Sequence, residues 1–217
     1  MKLLIAVPAL DYVHADFVKS LIKLMRHLDK KKDVQYDVDV NNGTLVYLAR
    51  DKLACKAVNE KYDKVLWLDA DMVFEPEIFD DLMDTGKEFV CGVFVSRRPS
   101  FVSCLFKQAD DLNHLKKWEI KDLPKDTFEL QGCGFACVMV DTAVLKDVHR
   151  QYGTCFLPLK SYGEDIAFCL RARKLGHKLF CEPTVRIGHI GHITIYPEDG
   201  DLWRQTVSNI EEVWKNA

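Results

Sequence analysis

Several features that would classify a chain quickly are missing here. There is no Cys-x-x-Cys pair, no internal repeat, no low-complexity stretch and no Pro/Gly/Ser-rich linker. No apolar run approaches the ~18 residues of a membrane span. The apolar start is cut by Pro8 and then meets Asp11 and Asp16, with no small-residue cleavage site. A secretion leader is therefore not expected, and a buried first strand is. Positive charge is not in excess either. The formal net charge is -3, so nothing argues for a nucleic-acid face. Peripheral membrane contact stays open.

Cysteine is present, at eight positions, but mostly inside apolar runs such as VCGVF and IAFCL. Without paired spacing or a leader, structural zinc and a disulfide framework are disfavoured. Reduced core thiols in a cytosol-like compartment are expected.

The apolar pattern predicts alternating elements. Residues 2–10 form a short buried strand. Phe17, Leu21, Leu24 and Leu28 fall at helical spacing, which predicts a helix over 14–31. Residues 34–40 alternate as a half-buried strand. After the Asn41-Asn42-Gly43 turn, Thr44 is placed to cap a helix running to about 61. Residues 64–68 form a buried strand ending at Asp69. Pro76 occupies the first turn of a short helix, and 89–95 is a strand again.

A β-α-β-α-β-α-β order argues for a mostly parallel sheet covered by helices. Ligands bind such sheets beyond the carboxyl ends of the strands, here 8–11, 39–42 and 69–71. Beyond 95 the texture becomes mixed. Strands are expected at 100–107, 127–130 and 132–140 around a polar insert, 108–126. A helix is expected at 142–151 and another from Gly163 to Gly176. A strand at 178–180 and a last helix at 202–215 follow. The expected organisation is one α/β domain, 1–217, with a nucleotide-binding half (1–98) and an acceptor-side half (99–217).

The central motif is LWLDADMVF. Asp69 and Asp71, flanking Ala70, stand two apart at a strand end, which predicts both carboxylates on one side. Two carboxylates in one cleft repel each other unless a divalent cation sits between them. Their hard oxygens suit Mn²⁺ or Mg²⁺, which would bridge to diphosphate oxygens. A solvated acidic turn is the bland alternative.

These segments resemble a GT-A-fold nucleotide-diphospho-sugar transferase of the glycosyltransferase family 2 type. IAVPAL, LARDKLACKAV, LWLDADMVFEPEIFDDL, GVFVSRRP, GCGFACVMVDTAVL and YGEDIAFCLRARKLGHKLFCEPTVRIGHIGH follow the family's order along nearly the whole chain. Small stand-alone enzymes of this type resemble those of large DNA viruses, phages and bacteria.

The resemblance implies transfer of a sugar from a nucleoside-diphosphate donor, favouring UDP, to a hydroxyl of a glycan or glycoconjugate, with inversion. It implies Asp71 as direct metal ligand and Asp69 as the ribose or metal-water partner. His189 is the implied second ligand, with His192 as the alternative; both could also be loop histidines. Asp165 is the implied base and Glu164 an acceptor contact. Acidic residues at a helix start are also expected for the helix dipole alone.

Arg50 either meets the diphosphate or fixes Asp69. Pro8, Ala9, Asp39 and Asn41 are candidates for base and ribose contacts by topology. Arg97, beside Arg98, is a candidate for the donor sugar or phosphate. Gly132 and Gly134 would let backbone approach the sugar, or merely mark a bulge. Ala9-Leu10 replaces the family's polar pair after the first-strand proline, so base recognition is left open.

Competing readings are a haloacid-dehalogenase-like phosphatase with Asp69 as nucleophile and a non-catalytic nucleotide-sugar-binding module. A sugar nucleotidyltransferase would need a glycine-rich loop after the first strand, and VPALDYVHADF has no glycine.

Overall fold

The computed structural model describes residues 1–97, 101–108 and 115–191. The helix expected at 202–215, His192 and Arg98 lie outside the described residues. In chain order the elements begin with β1 (Lys2–Pro8), α1 (Ala15–Leu28), β2 (Gln35–Asn41), α2 (Val46–Asn59), β3 (Lys64–Leu68), β4 (Met72–Val73), α3 (Ile78–Asp84) and β5 (Phe89–Val93). They continue with β6 (Leu105–Gln108), β7 (Leu115–Lys117), a 3-10 turn at Ile120–Asp122, β8 (Phe128–Leu130), β9 (Gly132–Cys133) and β10 (Cys137–Asp141). The last described elements are α4 (Thr142–Tyr152), α5 (Glu164–Lys174), β11 (Leu179–Arg186) and β12 (Gly188–His189).

Seven strands form one sheet in the order β2-β1-β3-β10-β5-β11-β8. β1 pairs in parallel with β2 and β3, and β5 with β11. Only β10 and β8 run against the rest. Two small sheets, β12-β4 and β7-β6-β9, stand beside it. Alternate residues of the central strands supply two apolar layers. Leu4, Ala6, Val65, Trp67 and Val138 face α2, α4 and α5, through Leu53, Val144, Phe168 and others. Leu3, Ile5, Val7, Leu66 and Met139 face α1 and α3, through Phe17, Leu24 and Phe79. The mostly parallel sheet, covered on both faces, fits central strands β1, β3, β5 and β10 that are apolar almost throughout, while β2 and β11 alternate.

Four local expectations are corrected. α2 is capped at Leu45 without a side-chain bond, so Thr44 does not cap it. Pro76 lies before α3, whose N-cap is Glu77; it sits in the turn that precedes the helix. The run 132–140 is not one strand. It divides into β9 and β10, which belong to different sheets, because the chain bends between them. The strand expected at 178–180 extends to Arg186. Gly176 does close α5 as expected, with φ at +94°, a conformation that favours glycine.

Candidate functional site

A cleft of about 390 Å³ opens beyond the carboxyl ends of β1, β2 and β3. The segment after β1 lines it with Pro8, Ala9, Leu10, Asp11, Tyr12 and His14; Thr44, Leu45 and Val46 come from the approach to α2. Asp69, Ala70, Asp71 and Arg97 complete the lining. Backbone bonds fix these loops together: Ala9 N–H donates to the Asn41 carbonyl (2.9 Å), Gly43 N–H to Leu10 (2.7 Å) and His14 N–H to Ala70 (3.1 Å).

The two aspartates do not share a strand face. β3 stops at Leu68, and Asp69-Ala70-Asp71 is a turn in which Met72 N–H donates to the Asp69 carbonyl at 3.2 Å. This corrects the strand-alternation picture, and it sends the two carboxylates to different partners. Asp69 accepts from the Arg50 guanidinium at 2.8 Å. Arg50 is 3 % exposed, lies over the Phe135 ring at 5.4 Å, and has its Nε 3.8 Å from Glu164 Oε1. One buried cation therefore joins Asp69 to the start of α5. Burial pushes the Asp69 carboxyl above its ordinary value; the Arg50 charge opposes this, and Asp71 and Glu164 add to it.

Asp71 faces His189 instead. β12 pairs antiparallel with β4, and Ile190 N–H donates to the Asp71 carbonyl at 2.8 Å. His189 Nδ1 lies 2.8 Å from the Val95 carbonyl. A carbonyl only accepts, so Nδ1 carries the proton and Nε2 is turned to Asp71 Oδ2, 3.3 Å away. Arg97 also contacts Asp71 Oδ2. Burial works upward on Asp71, but the hydrogen bond and charge of His189, with the charge of Arg97, hold it below its ordinary value. The bond to Asp71 correspondingly raises His189 against the effect of burial.

An oxygen and an imidazole nitrogen at this separation, with the second ring nitrogen locked on backbone, fit a Mn²⁺-type ion. Among the described residues no group of three or more His, Cys, Asp or Glu is placed to hold a metal.

Asp165 lies one residue into α5, its Oδ1 accepting from Ile166 N–H at 2.7 Å. Burial raises its carboxyl, Glu164 adds to the shift, and the Ile166 N–H and Arg50 oppose it. Not every candidate converges on the cleft. Asp39 is held by Lys56 at 2.6 Å and is not in the cleft lining. Asn41 is also outside the lining, and its Oδ1 is buried without a partner. Gly132 and Gly134 are packed against protein. A Cβ at Gly134 would lie 2.7 Å from the Phe94 ring, and one at Gly132 3.2 Å from Ile166.

Tyr12, His14, Leu45 and Val46 line the cleft without having been singled out from the sequence. The available signal was their position just after a strand end. Tyr12 is 66 % exposed, and its ring meets His14 edge-on at 5.5 Å.

No protein-family model matches this chain, and no curated protein matches it. Solved structures do. "Crystal Structure of A197 from STIV" aligns with a TM-score of 0.62 at 19% identity, over 88% of this chain and 87% of that one. "Crystal structure of GalNAc-T7 with UDP, GalNAc and Mn2+" aligns with a TM-score of 0.59 at 11% identity. That alignment covers 88% of this chain but only 43% of GalNAc-T7. At these identities the likeness speaks for the fold, and the fold is GT-A-like: a mostly parallel sheet between helices, as in glycosyltransferases.

Proposed function

We propose that this chain is a metal-assisted glycosyltransferase that moves a sugar from a nucleoside-diphosphate donor, UDP-linked, to a hydroxyl of a glycan or glycoconjugate with inversion. The observation that carries the reading is the pairing of Asp71 with His189 Nε2 at the edge of the cleft, 3.3 Å apart and 118 residues distant in sequence.

The nucleoside occupies the cleft beside β1, with the exposed Tyr12 ring and the Leu45 and Val46 side chains offering apolar cover to base and ribose. Asp69, oriented by Arg50, faces the ribose side. Asp71 and His189 hold Mn²⁺ or Mg²⁺, which when bound supplies positive charge for the departing diphosphate. Arg97 leaves Asp71 for the phosphate when the donor enters, adding a second cation where negative charge grows.

Asp165 takes the acceptor proton as the hydroxyl oxygen attacks the anomeric carbon. The carbon–oxygen bond to the diphosphate breaks on the opposite side, and the nucleoside diphosphate leaves. A carboxyl raised by burial is a better proton acceptor than an exposed one, provided it is ionised at working pH. Glu164, facing Arg50, serves the acceptor side through charge and position. The likeness to GalNAc-T7, a protein solved with UDP and Mn²⁺, supports this class of donor.

The phosphatase reading fits less well. Its nucleophile would be Asp69, which is already engaged by Arg50. Donor turnover across a panel of nucleotide-sugars, with Mn²⁺, Mg²⁺ or EDTA, tests the proposal. Release of nucleoside diphosphate that depends on the metal is expected. Turnover that persists in EDTA, or phosphatase activity without preference for nucleotide-sugars, would overturn it.

A further inference from the structure

The small sheet β7-β6-β9 carries a charge arrangement that the donor site does not use. Cross-strand pairs place Phe106, Lys117, Gln108, Leu115 and Gly132 on one face, and Lys107 with Lys116 on the other. On the second face Lys107 lies over the Trp118 ring at 4.3 Å. The first face looks onto the start of α5. A Cβ at Gly132 would sit 3.2 Å from Ile166 Cδ1 and 3.7 Å from Leu115 Cδ1. Glu164 and Asp165 immediately precede Ile166.

Lys117 shares that face with Leu115. Its ammonium lies 5.8 Å from the centre of the Phe106 ring, the side chain is exposed, and no described carboxylate pairs with it. The Cys104 thiol, two residues before Phe106, gives an independent bearing. Burial raises it to about 11; the Lys117 charge opposes that shift, and the Asp165 and Asp69 charges add to it. The ammonium and the two carboxylates are thus all within electrostatic reach of this thiol. Glu164 and Asp165 at the start of α5 would repel an anionic acceptor, and Lys117 is a cation with no carboxylate partner among the described residues.

We propose that the acceptor is an alcohol bearing a phosphate group, and that Lys117 binds the phosphate while Asp165 faces the hydroxyl. This rests on the reading of Asp165 given under Proposed function. The phosphate could belong to a phosphorylated sugar or to a lipid headgroup, and both present the same chemistry to an ammonium. Lys116, on the opposite face, takes no part and provides an internal control.

The test is an amide-shift titration of the isotopically labelled protein with UDP and Mg²⁺ present. A hexose 1-phosphate is compared with the neutral methyl hexoside. Saturable shifts at Leu115–Lys117 and at 164–166 are expected for the phosphate, with affinity roughly tenfold above the neutral sugar. Lys117→Ala should abolish that preference and Lys116→Ala should keep it. Equal response to both sugars, or an undiminished preference in Lys117→Ala, would overturn the proposal.

Sedimentation with phosphatidylglycerol against phosphatidylcholine vesicles separates the two phosphate sources. Binding to the anionic vesicles that is lost in Lys117→Ala assigns the phosphate to a lipid. No vesicle binding, with the hexose 1-phosphate response intact, assigns it to a sugar. Vesicle binding lost in Lys116→Ala but kept in Lys117→Ala would overturn the proposal in favour of a membrane-facing patch. UDP-induced shifts at Tyr12 and Asp69 report the donor site in the same samples. Their absence counts against the proposed function; their presence without a phosphate response counts against this inference alone.

Discussion

The stretch up to Arg97 and the stretch from Phe101 to Gly191 are built on different rules. In the first, β1 lies between β2 and β3, all three parallel and connected through helices. Their carboxyl ends open one cleft. In the second, chain order and spatial order separate. β10 inserts antiparallel between β3 and β5, β9 joins a different sheet, and β12 returns to pair with β4. The first region supplies every lining residue of the cleft, and the second supplies side chains that contact residues at its margin. Asp71 acquires its histidine, and Arg50 its Phe135 platform and Glu164, only from the later segment.

The largest effect expected from breaking this division is at the proposed metal pair, Asp71 and His189. Asp71→Ala should bring metal-dependent donor turnover to background while the melting temperature stays near that of the parent. His189→Ala should reproduce the loss although it lies in the other region. If His189→Ala instead retains full metal dependence, the later stretch does not contribute to the donor site.

Asp165→Asn comes next. Transfer should fall roughly 10²–10⁴-fold, with UDP binding by calorimetry nearly unchanged. As the proposed base Asp165 must be ionised, and burial raises its carboxyl, so activity should fall on acidification at a pH above the ordinary carboxylate range. Glu164 contributes to that rise. A Glu164→Gln variant should therefore move the acid limb of kcat/KM to lower pH; a limb that stays in place would remove Asp165 as the titrating group.

Packing provides the third comparison. Phe135, from the later region, meets Trp67 of the earlier one edge-on at 5.9 Å and also packs on Phe156 and Phe168. Phe135→Ala should cost about 3–5 kcal/mol in urea unfolding. It should also loosen Arg50, so donor KM should rise with the stability loss. The smallest effect is at the surface. Lys178 and Glu129 pair at 3.0 Å with both side chains well exposed, and Lys178→Ala should cost a few tenths of a kcal/mol at most.

Local patterns were legible where the chain's own periodicity governs. β3 occupies the expected residues, α4 ends one residue beyond its expected end, and the cleft takes in two of the three strand ends that the topology named, 8–11 and 69–71. The errors fall where neighbours in space decide. Residues 132–140 have the composition of one apolar strand, yet the bend at Gly134–Ala136 assigns its parts to two sheets. Asp39 was placed with the nucleotide by topology, but Lys56 engages it. Gly134 suggested open backbone, but the Phe94 ring stands over it.

The sequence by itself determined the layered α/β arrangement and the position of the Asp69-Ala70-Asp71 turn, because apolar periodicity and strand–helix alternation are local properties with few compact solutions. The family resemblance already implied different roles for the two aspartates, but the local pattern did not. Only the tertiary structure shows their contacts, Asp69 with the buried Arg50 and Asp71 with His189. The reason is physical: the roles are set by charges brought together from residues 50, 97, 164 and 189, and no local pattern records which of two neighbouring carboxylates a distant cation or imidazole will reach.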